Sequence, residues 1–288
     1  MIAEEIELPS TAFAAAWNSI KVEAALKDRL VAGALLSLQL RQTFSFEDMP
    51  VHGMVVLSGP PGTGKTTLAR GLANQVAQSL KGSRPRFVQI DPHALASASL
   101  GRSQKEVTRL FHEVIPERAA QGPCIVLLDE VETIAADRQK LSLDSNPVDV
   151  HRATDAALAG IDVLSRKHRN VLLIATTNFP EALDKAFLSR ADAIEDIGLP
   201  SDSARLEIIE DALKQLASRW PALDALRKRS KEFVAASAGL DGRRLRKTVT
   251  FAAAGTVETA KDPGRMTAHQ LLQAIETAVD TQSRVGVL

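Results

Sequence analysis

A chain of 288 residues with 35 Lys plus Arg against 35 Asp plus Glu carries no net formal charge. That balance excludes bulk electrostatic attraction to nucleic acid or to an anionic membrane, although a local basic patch stays open. A single cysteine, Cys124, excludes an internal disulfide framework and fits a reducing compartment, and no apolar run reaches the length of a membrane span.

The length allows one large domain or two smaller ones, each able to bury a core. MIAEEIELPS at the N-terminus is acidic and lacks the basic-then-apolar order of a signal peptide, so a soluble cytoplasmic protein is expected. A helical period in Phe13, Trp17, Ile20, Leu30 and Leu38 predicts an N-terminal helical segment within 1–50, closed by a loop from Phe44 to Pro50. The strand Met54–Leu57 then runs into SGPPGTGKTT, residues 58–67, and on into a helix over Lys65–Gln78. Gly59 and Gly64 with four residues between them, followed by Lys65 and Thr66, fit the P-loop pattern in its required strand-to-helix setting. Glycines let successive N–H groups turn toward one anion, and the helix start adds its positive end. Gly59, Pro60, Pro61, Gly62, Thr63, Gly64, Lys65, Thr66 and Thr67 are therefore the expected ATP cradle. Lys65 is suited to the β- and γ-phosphates, and the Thr66 hydroxyl to Mg²⁺.

Further strands are predicted at Phe87–Ile90, Cys124–Leu128 and Val171–Ala175, with a weaker one at Ala193–Ile197. Helices over Gln104–Ile115, Val148–Leu164 and Glu181–Leu188 alternate with them, which implies a parallel five-stranded sheet flanked by helices. Two acids end the Cys124–Leu128 run. Asp129 could hold Mg²⁺ through water, and Glu130 could orient or deprotonate the attacking water. Alone, such a run is an ordinary strand ending at a solvated turn; downstream of a P-loop it reads as the second half of a nucleotide site. Asn178 closes the Val171 strand, where it could bond the γ-phosphate or the water, or simply begin the turn before Phe179-Pro180. Arg190 follows on a small-residue turn suited to a finger reaching a neighbour's nucleotide, and Arg243 opens a helix from which it could touch the phosphates. Either arginine in isolation reads more readily as a solvated surface residue. Beyond Leu199-Pro200 only helices are predicted, at Ser203–Ser218, Leu223–Ala238, Arg243–Ala260 and Thr267–Asp280. The domains are accordingly drawn as 1–50, an α/β nucleotide-binding domain at 51–199 and a small all-α lid at 200–288. None of the six histidines shows metal-ligand spacing, and Cys124 reads as a buried strand residue.

Together these stretches resemble the AAA+ ATPases: SGPPGTGKTT is similar to Walker A, IVLLDEVE to Walker B, ATTN to sensor 1 and GLDGRRLRK to sensor 2. The wording NVLLIATTNFPEALDKAFLSRADAIEDIGLPS and the opening ELPSTAFAAAWNSIKVEAALKDRL narrow the resemblance to the pachytene-checkpoint, or thyroid-receptor-interactor, type. It spans about residues 7 to 282. That resemblance implies a homo-hexamer with ATP and Mg²⁺ at subunit interfaces, acting on HORMA-domain proteins. With so little chain ahead of the P-loop, it points to the short bacterial form found in CBASS anti-phage operons. The partner there is a HORMA protein and, through it, a cyclic-oligonucleotide synthase. In this fold the loop after the second strand lines a central pore, which falls on Ser99, Leu100 and Gly101. Relatives usually place an aromatic where Ser99 stands, so the grip on substrate would rest on Leu100. A second pore loop is expected at about Asp137 to Val150. Two other readings are an AAA+ ATPase acting on nucleic acid, as a loader or transposition helper, and a nucleotide-gated scaffold. Neutral charge and the absence of a basic arm disfavour the first. The set Glu130, Asn178 and Arg190 disfavours the second.

Overall fold

A computed structural model describes residues 1–80, 82–91, 95, 102–135 and 147–285. The chain clusters into two compact units. One holds 1–20, 24–59 and 65–197; the other holds 21–23, 60–64 and 198–288.

The first unit is built on a six-stranded sheet: β1 (Ile2–Glu7), β2 (Met54–Ser58), β3 (Arg86–Ile90), β4 (Cys124–Leu128), β5 (Val171–Thr177) and β6 (Ala193–Asp196). Their spatial order is β1-β3-β4-β5-β2-β6. Every pair from β3 to β6 is parallel, as the alternating pattern requires. Strands β2, β4 and β5 are buried at every position, because helices cover both faces. Met54, Val56, Val126, Leu128 and Leu173 join one core cluster with Phe111, Ile161 and Phe187. On α1 (Thr11–Ser19), Phe13 meets Phe87 of β3 edge to face at 4.8 Å.

The sixth strand corrects the five-stranded expectation. Residues 2–7 do not belong to a helical segment; they pair antiparallel with β3, Glu5 opposite Val88. Three glutamates in six residues hide a strand from sequence, yet each has a cation waiting. Glu4 meets Arg70 at 2.8 Å, Glu5 meets Arg86 at 2.7 Å and Glu7 meets Arg84 at 3.0 Å. Arg86 holds the Glu5 carboxyl below its ordinary range.

Helix α2 (Ala24–Thr43) carries Arg41, which is 4% exposed. Its guanidinium donates to the carbonyls of Val171, Leu164 at 3.2 Å and His168 at 3.0 Å, so one side chain ties the end of a helix to the start of β5. Burial lowers its pKa to about 10, so it stays charged at neutral pH. Just beyond the helix-to-sheet turn, Asp192 accepts from the amides of His52 (2.8 Å), Gly53 (2.7 Å) and Met54 (3.0 Å) and from the Ser37 hydroxyl (2.7 Å). These bonds fix where β2 begins, and hence where the P-loop after it starts.

The second unit is helical around its own core of Ile209, Leu213, Phe233, Leu245, Leu271 and Ile275. The helix expected over Arg243–Ala260 is broken. It runs Gly242–Phe251, passes through a 3-10 turn at Ala252–Gly255 and restarts at Val257–Lys261. The break falls where Thr256 accepts from the Thr259 amide as an N-cap, a local bond that competes with helix continuation. The helix expected over Glu181–Leu188 is likewise a 3-10 turn at Pro180–Ala182 followed by a single turn, Lys185–Leu188, capped by Asp184.

Candidate functional site

Because β2, β4 and β5 run parallel, their C-terminal ends share one edge, with Ser58 opposite Thr177 and Leu128 opposite Ala175. Whatever follows these strands is delivered to one place. Gly59, the first residue after β2, adopts φ +137, and a Cβ there would run into the Ile197 carbonyl. Lys65 opens α3 (Lys65–Ser79); its side chain is 6% exposed and Nζ donates to Gly59 O at 2.7 Å. An ammonium is thus already folded back over its own loop. Thr66, one residue on, donates from Oγ1 to Asp129 Oδ1 at 2.8 Å. A hydroxyl and a carboxylate at this separation, at the start of a helix, suit a hard divalent cation that keeps most of its waters.

Glu130 follows with φ 51 and ψ 52, the one non-glycine with positive φ among the described residues. Its Oε1 accepts from Asn178 Nδ2 at 3.5 Å, and the Asn178 amide donates to Glu132 Oε1 at 3.1 Å. Lys65, Thr66, Asp129, Glu130 and Asn178, named from sequence as separate signals, therefore meet at one sheet edge. Thr176 and Glu132 belong with them and were missed. Both lie inside the strings ATTN and DEVE, but only the fold shows which of those polar groups turn inward.

In the helical unit, Gly62 has φ +83 and its Cα faces the Asp241 carboxylate, where a Cβ would collide. Asp241 caps the Gly242–Phe251 helix by accepting from the Arg244 amide at 2.8 Å, and the Arg243 amide donates to Gly62 O at 3.2 Å. Arg243 thus stands beside Gly62, in whose stretch Pro60 and Pro61 are exposed, Thr63 donates to Pro60 O, and Gly64 has φ +93. Thr67 is half-buried on the first turn of α3.

Residues 55–199 match the model of the ATPase family associated with various cellular activities, AAA. Over 282 residues the chain is 44% identical to CD-NTase-associated protein 6 of Pseudomonas aeruginosa, covering 97% of this chain and 93% of that protein. Against the pachytene checkpoint protein 2 homolog of Sus scrofa the identity is 32% over 303 residues, 96% of this chain and 68% of that one. The chain belongs to the pachytene-checkpoint AAA ATPases. Its fold also superposes, with a TM-score of 0.74 at 20% identity, on a chain of the E. coli MS115-1 HORMA:CdnC:Trip13 complex, covering 95% and 94% of the two.

In this pachytene-checkpoint ATPase Arg190 is fully engaged. Nε and Nη2 form a fork on Asp162 at 2.7 and 2.8 Å, and Nη1 donates to Ala186 O at 2.7 Å. Asp162 lies on the Pro147–Lys167 helix. The Arg190 guanidinium holds the Asp162 carboxyl below its usual range, and Asp162 raises Arg190 in turn. Ser99, Leu100 and Gly101, expected to line a pore, lie outside the described residues, as do 136–146 of the expected second pore loop.

His52 Nε2 stands 3.7 Å from the same Asp162 oxygen. Burial nonetheless holds its pKa below the ordinary 6.5, against the pull of Asp192 and Asp162, and His168 is lowered by burial as well. The folded chain then binds fewer protons than the unfolded one. Stability is full above the ordinary histidine value, falls as pH drops through it, and levels off below the depressed folded value. Thermal melting at about pH 5.5 is expected to show a lower midpoint than at about pH 7.5, with a smaller difference in His52→Gln.

Proposed function

We propose that this chain is an ATP-driven protein remodeler that engages and partly unfolds a HORMA-domain partner. In doing so it would dismantle the partner's complex with a cyclic-oligonucleotide synthase and restrain anti-phage second-messenger output. The observation that carries this reading is the 44% identity, along 97% of the chain, to a protein named for its association with a CD-NTase. The fold likeness to a HORMA:CdnC:Trip13 complex points the same way.

In this reading Lys65 would turn from Gly59 O to the β- and γ-phosphates. Thr66 and Asp129 are the residues that would hold Mg²⁺, which when bound would supply charge neutralisation at the phosphate oxygens. Glu130 and Asn178 orient the attacking water in line with the bond that breaks, and Arg243 approaches the phosphates from beside Gly62. The active form is a homo-hexamer in the cytoplasm, with Arg190 of one protomer reaching the nucleotide of the next. Arg190 must then exchange the Asp162 fork for phosphate oxygens, a like-for-like replacement of one bidentate anion by another. Leu100, with Ser99 and Gly101, would grip the substrate chain in the pore.

The test mixes the purified chain with a complex of a HORMA protein, its bound peptide and the synthase. Release of peptide and synthase is expected with ATP and not with a non-hydrolysable analogue. Equal release with the analogue would reduce the chain to a nucleotide-gated binder.

A further inference from the structure

Thr176, near the end of β5, is 1% exposed and has one hydroxyl proton to give. Its Oγ1 donates to Asp129 Oδ1 at 2.5 Å and accepts from the Glu130 amide at 3.1 Å. One buried hydroxyl thus touches both acids that follow β4, the carboxylate of the first and the backbone of the second.

Glu130 needs such a hold. A left-handed backbone is unfavourable for a glutamate and persists only where its surroundings over-determine it. Here Thr176 takes the Glu130 amide, while the Thr133 amide (3.1 Å) and hydroxyl (3.0 Å) donate to the Glu130 carbonyl. Thr133 is a local partner that would accompany any turn of this shape. Thr176 is 46 positions away, on another strand, and fixes the turn relative to the sheet edge. The same hydroxyl also orients Asp129. The second donor on Asp129 Oδ1 is Thr66, whose hydroxyl is the one a divalent cation would claim. Thr176 would then be the donor left to aim that carboxylate.

We propose that Thr176 is a positioning residue for ATP cleavage, setting the Asp129 carboxylate and the Glu130 backbone as one unit. The proposal rests on reading Glu130 as the group that orients the attacking water. A merely satisfied buried hydroxyl would contribute to folding and to nothing else, and the two roles separate experimentally.

Thr176→Val keeps the β-branched shape and removes the hydroxyl. In the nucleotide-free full chain, deuterium exchange at the Glu130 amide should quicken by about 10-fold, as expected for a lost amide partner. Nucleotide binding in EDTA should be unchanged. Turnover should fall, and the Mg²⁺ needed for half-maximal turnover should rise, each on the order of 10- to 100-fold, the usual effect of losing a partner just outside a metal's ligands. Thr176→Ser should restore all three readouts. Should valine prevent folding, Thr176→Ala carries the same expectations. Wild-type exchange and Mg²⁺ requirement in the hydroxyl-free variant, or a serine variant as impaired as the valine one, would overturn the proposal. Glu130→Gln is measured alongside. A dead Glu130→Gln beside an unimpaired Thr176→Val sinks the role of Thr176 alone. A fully active Glu130→Gln instead sinks the water-orienting role of Glu130, and amide exchange still reports whether Thr176 holds the turn.

Discussion

Glu130→Gln is expected to bind ATP and hold it uncleaved. The substitution keeps size, the left-handed turn and the backbone bonds to Thr176 and Thr133, so the site remains assembled. It removes the charge and basicity with which Glu130 would polarise water, while the Asn178 amide 3.5 Å away keeps an oxygen to bond. Turnover should fall by roughly 100- to 10,000-fold, the span that general acid–base groups contribute. Nucleotide affinity should stay within about threefold of wild type, a difference under 1 kcal/mol. Steady-state phosphate release and equilibrium binding of a fluorescent ADP, compared on the same preparation, check both halves. Loss of binding together with turnover would mean that Glu130 supports the loop rather than the chemistry.

Arg41→Ala is expected to be the most damaging single change to folding. The guanidinium is buried and charged, and three carbonyls from Leu164, His168 and Val171 converge on it. Truncation opens a cavity, strips those carbonyls of a charged donor and removes the cation that faces Asp192. Removing one member of such a buried charged set typically costs about 3–5 kcal/mol. At about 2–4 °C per kcal/mol for a chain of this size, the melting midpoint should fall by roughly 10 °C. Arg41→Met fills much of the volume without burying a charge and should lose less, because replacing a buried ion by packed apolar atoms avoids its desolvation. Thermal melts followed by circular dichroism decide the order. If alanine and methionine melt alike, packing at this position is not what the cavity argument requires.

The strands most plainly legible in sequence were β2, β4 and β5, which are buried along their whole length and read as apolar runs, while β3 and the weaker β6, buried only in part, were legible from shorter runs. Strand β1 was illegible because its glutamates are neutralised by arginines at 70, 84 and 86, a pairing that exists only after folding. The P-loop and the acids after β4 carry their chemistry in a contiguous stretch, which is why their positions could be read directly. Thr176 could not, since a strand threonine is ordinary until its hydroxyl is seen between two acids. Arg190 was visible as an arginine on a turn. Its fork on Asp162, 28 positions earlier, was not.

The two borders of the sheet have a consequence for how copies of the chain meet one another. Each ends in a short segment rich in acid, IAEEIE on one side and AIED on the other. Brevity, and charged side chains already held in ion pairs by Arg70, Arg86 and Arg84 on one border and by Arg29 on the other, make poor templates for an added strand. Both seams of the sheet are thereby closed to lengthening, which keeps copies of the chain from joining edge to edge.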